Sequence, residues 1–107
     1  MQKRVDKNQT ELVKIYRQLG CSMTDLSEVG KGCPDYLVGV AGVSCPVEFK
    51  NGKLSPSRRK LTDAQVEWHD EWQGSVWIVD TAEKVVEHVK WLRARGARNG
   101  NHGIVDY

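Results

Sequence analysis

The chain has 107 residues, 39% of them hydrophobic and 28% charged, proportions that fit one compact globular domain and argue against both a disordered polymer and a membrane-embedded protein. Lys and Arg total 16 against 14 Asp and Glu, a net charge of +2 that is too small to identify a nucleic-acid binder by itself, so the placement of charge must decide. No apolar run reaches membrane-spanning length and residues 1–6 lack the apolar core of a secretory signal, so a cytoplasmic protein with no membrane partner is expected.

In chain order, Leu12, Ile15, Tyr16 and Leu19 recur at helical spacing before Gly20, which predicts a first helix over 7–19. Residues 21–26 read as a short strand. From 35 to 50 apolar residues alternate on both sides of Ala41-Gly42, the pattern of a hairpin. With those two residues as the turn, Val40 pairs with Val43, Val38 with Cys45 and Tyr36 with Val47, and all six line one apolar face. The same register sets Asp35 opposite Glu48, and Lys50 shares their face because side chains alternate along a strand. Two residues strain this reading. Ala41 is not favoured in a tight turn, and Pro46 cannot donate a ladder hydrogen bond.

A polar, basic loop over 51–60 leads to a predicted helix over 62–73, with Leu61, Gln65, Trp68 and Trp72 on one stripe. Residues 75–79 read as a buried strand, reached through a helical crossover and therefore parallel to the Glu48 strand. Asp80-Thr81-Ala82-Glu83 can cap a last helix reaching Arg93, with Val85, Val89 and Leu92 inward. The order α-β-β-β-α-β-α describes an α/β sandwich around a small mixed four-stranded sheet. One domain over 1–95 is expected, followed by a flexible Gly- and Asn-rich tail over 96–107.

Cys21, Cys33 and Cys45 form no CxxC pair and read as buried or free thiols. His69, His88 and His102 lack metal-binding spacing and read as surface or packing residues. Trp68, Trp72, Trp77 and Trp91 fall mainly on core positions, with base stacking as the other reading.

The converging charges carry the chemistry. Phosphodiester hydrolysis needs charge neutralisation, an activated water and a cation near the developing charge. Asp35, Glu48 and the Phe49 carbonyl supply the oxygens that hard Mg²⁺ prefers, and Lys50 supplies an ammonium. Gly32-Cys33-Pro34-Asp35, followed by Glu48-Phe49-Lys50 and then Gln65 on the next helix, resembles the PD-(D/E)XK nuclease superfamily, with a layout similar to its VRR-NUC branch. The resemblance spans residues 9–80 and implies a restriction-endonuclease-like fold acting on DNA with Mg²⁺, or Mn²⁺ in its place. It puts Asp35, Glu48, the Phe49 carbonyl and Glu11 at the metal, and Lys50 and Gln65 beside them as catalytic residues. No extra targeting domain of the kind larger members often carry is expected, and compact stand-alone members similar to it can act as homodimers on Holliday junctions and other branched DNA.

Each residue has a plainer reading. Asp35 after Pro34 suits a turn, Glu48 and Lys50 suit a solvated strand face, and Glu11 with Lys14 is an ordinary helix-surface pair. Thr62-x-x-Gln65 is a capping box. Lys53, Arg58, Arg59 and Lys60 could contact DNA phosphates or simply be solvated. The expectation is a metal-dependent, structure-selective DNA endonuclease. The competing readings are a catalytically silent DNA-binding module on the same fold and a small interaction protein without nucleic-acid affinity.

Overall fold

Leu12, Val13 and Tyr16 share one face of α1 (Lys7–Gln18) and are its buried residues in the computed structural model of the chain, which describes residues 7–51 and 60–98. Gly20, with φ 88°, turns the chain out of this helix, a backbone angle that glycine adopts without steric cost. Strands β1 (Ser22–Asp25), β2 (Tyr36–Val40) and β3 (Val43–Phe49) follow, then α2 (Asp63–Glu71), β4 (Trp77–Val79) and α3 (Ala82–Arg98). The strands form one sheet in the order β1-β2-β3-β4. The first two pairings are antiparallel and the third is parallel, so the described residues form an α/β fold with a mixed sheet and three helices. Among the described residues no helix is long and apolar enough to cross a membrane.

The β2–β3 register is Tyr36 with Val47, Val38 with Cys45 and Val40 with Val43. Ala41 and Gly42 form the turn with φ of 54° and 76°, the doubly left-handed geometry whose twist matches that of a hairpin. Ala41 therefore bears the strain its identity forecasts. The turn is pressed against α3, where a Cβ on Gly96 would stand 2.4 Å from the Ala41 carbonyl oxygen. Pro46 is accommodated by register. A two-residue turn makes the Val40–Val43 rung hydrogen-bonded, so the rungs alternate and Pro46 opposite Leu37 falls on a rung that asks for no N–H toward β2. On its other side β4 begins only opposite Val47.

Val38, Val40, Cys45, Val47, Phe49 and Val79 form the buried sheet face, covered by Leu12, Val13 and Tyr16 of α1 and by Val85, Val89 and Leu92 of α3. Helix α3 continues five residues past the expected Arg93 and buries Gly96. The expected flexible tail thus begins too early, since residues 96–98 are helical, and the rest of that tail, 99–107, lies outside the described residues. The tryptophans divide. Trp77 stacks on the buried His88 at 4.4 Å, with Trp91 tilted against both. Trp72 is 43% exposed and stacks on Trp68 at 4.8 Å. No residue of α2 is buried, so that helix lies on the second face of the sheet without building a core there, and Trp68 and Trp72 do not take the core positions expected of them.

Candidate functional site

Alternation along β3 sends Val47 and Phe49 into the apolar core and Glu48 to the opposite face. Glu48 is nonetheless only 1% exposed, because α2 and the segment leading to β2 close over it. Gly32 makes that closure possible. Its φ is 78°, and a Cβ there would stand 2.1 Å from the Ala64 carbonyl oxygen, so the backbone of this segment passes directly under the first turn of α2. Buried Pro34 and half-buried Asp35 follow. Asp35 Oδ2 accepts a hydrogen bond from the Phe49 N–H at 2.8 Å. In a strand the N–H and C=O of one residue leave the chain on the same side, so the Phe49 carbonyl also faces Asp35.

Gln65 binds the rest together. Thr62 caps α2, its hydroxyl accepting from the Gln65 N–H at 3.2 Å, while the Thr62 N–H donates to Gln65 Oε1 at 2.9 Å. The same oxygen accepts from Lys50 Nζ at 2.9 Å, and Gln65 Nε2 donates to Glu48 Oε2 at 3.1 Å. One amide orientation satisfies all these contacts, with the carbonyl toward two donors and the amino group toward a carboxylate. The capping role and the site role therefore coincide in one side chain. The Lys50 backbone is held separately, its carbonyl accepting from Asn8 Nδ2 of α1 at 3.0 Å and its N–H donating to the Val79 carbonyl at 3.0 Å.

The surroundings disfavour the ionised form of Glu48. Burial first, then the hydrogen bond and charge of the neighbouring Asp35, push the Glu48 carboxyl up to about 9 from its ordinary 4.5, against the opposing pull of Lys50. Glu48 Oε1 is buried with no hydrogen-bond partner, a state that costs about 1–3 kcal/mol and more for a charged group. Across from it, 4.0 Å away, stands Nε2 of His69, also buried and also without a hydrogen-bond partner. Burial, with Lys50 contributing, lowers the His69 pKa despite the nearby Asp70. The Cys33 thiol is raised by burial and by the charges of Glu48 and Asp35, which places it beside the carboxylates.

These residues suit a hard divalent ion. Two carboxyls are pressed together, one of them out of water with an unpartnered oxygen, and a backbone carbonyl faces the same side. Among the described residues no three His, Cys, Asp or Glu gather closely enough to hold a metal ion. A cation at this point would have two carboxylates and a carbonyl as its protein donors, a small oxygen set of the kind Mg²⁺ accepts.

The sequence-predicted residues divide accordingly. Asp35, Glu48, Lys50, the Phe49 backbone and Gln65 come together. Glu11 does not join Asp35 and Glu48 in any such group. It is exposed and lines a cavity with Asn8, Asn51 and Ala82. Helix α1 meets the site through Asn8 instead. Lys60 is exposed, whereas Lys53, Arg58 and Arg59 lie outside the described residues. Asn8 and His69 were not among the sequence-predicted site residues. A helical spacing of four from Gln65 to His69 was the only available hint. In comparisons with known proteins, no family profile, curated protein or solved structure matches this chain.

Proposed function

We propose that the protein is a metal-dependent endonuclease that hydrolyses phosphodiester bonds in DNA, on a restriction-endonuclease-like fold of the PD-(D/E)XK type. The observation that carries this reading is the buried Glu48 carboxylate, forced against Asp35 and tied through Gln65 to Lys50. Such an arrangement is costly as a structural device and useful as a site for a cation and a scissile phosphate. Asp35, Glu48 and the Phe49 carbonyl would hold Mg²⁺, with Mn²⁺ a natural substitute. A bound ion of this kind neutralises phosphate charge and makes water a stronger nucleophile.

The chain's own residues do the rest. Gln65 fixes the separation of Glu48 and Lys50, so a carboxylate and an ammonium face one reacting centre without collapsing into a direct ion pair. Lys50 Nζ, held at 2.9 Å from Gln65 Oε1, keeps donors free to orient the attacking water or stabilise the developing charge. Asn8 holds the Lys50 backbone and so fixes where its side chain starts. In this reading the basic loop carrying Lys53, Arg58, Arg59 and Lys60 contacts DNA phosphates. A single site cuts one strand at a time, which favours a homodimer acting on branched DNA such as a Holliday junction.

The test is incubation of purified protein with duplex, single-stranded, flap and four-way-junction DNA in Mg²⁺, Mn²⁺ or EDTA. Cleavage with either metal, its loss in EDTA and a preference for branched substrates are expected. Binding without cleavage under every metal condition would instead favour a silent DNA-binding module.

A further inference from the structure

We propose that His69 is a positioning residue of this site, its Nε2–H holding Oε1 of Glu48 directly or through one water while Gln65 holds Oε2. The inference rests on the metal-site reading of Asp35 and Glu48 and adds a residue to it. Gln65 and His69 are one turn apart on α2, so they project from the same side of the helix. Both reach the same carboxylate, Gln65 Nε2 at 3.1 Å from Oε2 and His69 Nε2 at 4.0 Å from Oε1. The 4.0 Å separation is too long for a hydrogen bond and short enough to be closed by a small side-chain rotation or a bridging water.

Two facts favour closure over coincidence. Both facing atoms are buried and unpartnered, and native proteins rarely leave such atoms unsatisfied. The His69 ring is also braced, with Trp68 edge-on at 5.6 Å and a side chain only 14% exposed, so it is not a surface group that wandered inward.

Direct metal ligation fits less well. Among the described residues His69 forms no metal-holding group with the acidic side chains, and a hard ion that prefers oxygen gains little from imidazole. Acting through Glu48, His69 would fix the carboxylate rotation and hence which oxygen faces the cation. That is the role commonly filled by groups that hydrogen-bond a metal ligand.

The experiment uses the full chain with His69→Ala and His69→Gln, the glutamine amide standing near where Nε2 stands. Because α2 buries no residue, both variants should fold, and circular dichroism checks this. Mn²⁺ affinity is measured by titration calorimetry, and kcat and KM on the best DNA substrate. His69→Ala should weaken Mn²⁺ binding by about ten- to a hundredfold and lower kcat with KM for DNA unchanged, and His69→Gln should recover most of the loss. In the metal-free protein, ¹⁵N shifts of the imidazole should report the Nε2-protonated tautomer.

Wild-type Mn²⁺ affinity in His69→Ala, a glutamine variant no better than alanine, or an Nδ1-protonated tautomer would each overturn the proposal. So would a wild-type protein that binds no Mn²⁺. Binding of Mn²⁺ that depends on His69, with no cleavage of any DNA, would remove the nuclease reading and leave the role of His69 standing.

Discussion

Gln65 serves two masters, and its neighbours allow the two roles to be separated. Thr62 supplies only the helix cap, through its hydroxyl and its N–H. Thr62→Ala should therefore cost about 0.5–2 kcal/mol of stability and leave the cleavage rate within a few-fold, as chemical denaturation and kinetics would show. Gln65→Ala removes the cap's reciprocal bond and also frees Glu48 and Lys50 from their common tether. Its rate should fall by at least about tenfold, in line with the loss of groups that orient catalytic residues. If the two variants lose rate equally, Gln65 acts only as a cap.

At the level of elements, the site depends on how closely the segment before β2 can approach α2. A Cβ at Gly32 would overlap backbone atoms of Ala64 and Gln65, which no side-chain rotation can relieve. The residue also has a left-handed φ. Gly32→Ala should lower both melting temperature and cleavage rate by displacing Gln65 from Glu48, whereas Gly30→Ala, with open space around its would-be Cβ, should lower stability through its φ alone and spare the rate. Equal rate losses in both would argue against this close approach as the feature that places α2.

Much of this arrangement was legible in the sequence because alternation along a hairpin is a strong constraint. Once Ala41-Gly42 is taken as the turn, Asp35, Glu48 and Lys50 have nowhere else to point. Position along a helix was less informative. Glu11 and Asn8 are both plausible inward residues of α1, and only the packing of that helix beside Lys50 selects Asn8. His69 was hidden because α2 has few apolar residues to mark its inner side, and a lone histidine among Asp70, Glu67 and Glu71 reads as surface. The end of α3 was misplaced because Gly96 looks like a helix terminator, whereas here it is the small residue that lets the hairpin turn pack closely.

For the whole molecule, two buried groups give stability an opposite dependence on pH. Glu48 has a folded pKa of about 9, raised from 4.5, so its contribution is full below about 4.5 and is lost as pH rises through 9. His88 is buried beside Trp77, its Nδ1 hydrogen-bonded to the Tyr16 hydroxyl at 2.6 Å. Burial lowers its pKa from 6.5 to about 4. Its contribution is full above 6.5 and is lost as pH falls toward 4. Metal-free protein should thus melt at lower temperature on both sides of a mildly acidic plateau between about 4.5 and 6.5. Glu48→Gln should flatten the alkaline limb and leave the acid limb in place. Saturating Mg²⁺ should also raise the wild-type alkaline limb, since a ligand that binds only the folded, deprotonated site stabilises it by mass action. An alkaline limb unchanged by Glu48→Gln would place its origin elsewhere.

The proposed nuclease function requires Glu48 to act as one unit with Asp35 and Lys50. The most direct measurement is the cleavage rate of one DNA substrate by wild-type protein and by Glu48→Ala, purified side by side in the same Mg²⁺ buffer. Loss of a group that acts only with its partners should lower the rate by at least about a hundredfold. Glu48→Ala protein that cuts at the wild-type rate, with contaminating nuclease excluded, would contradict it.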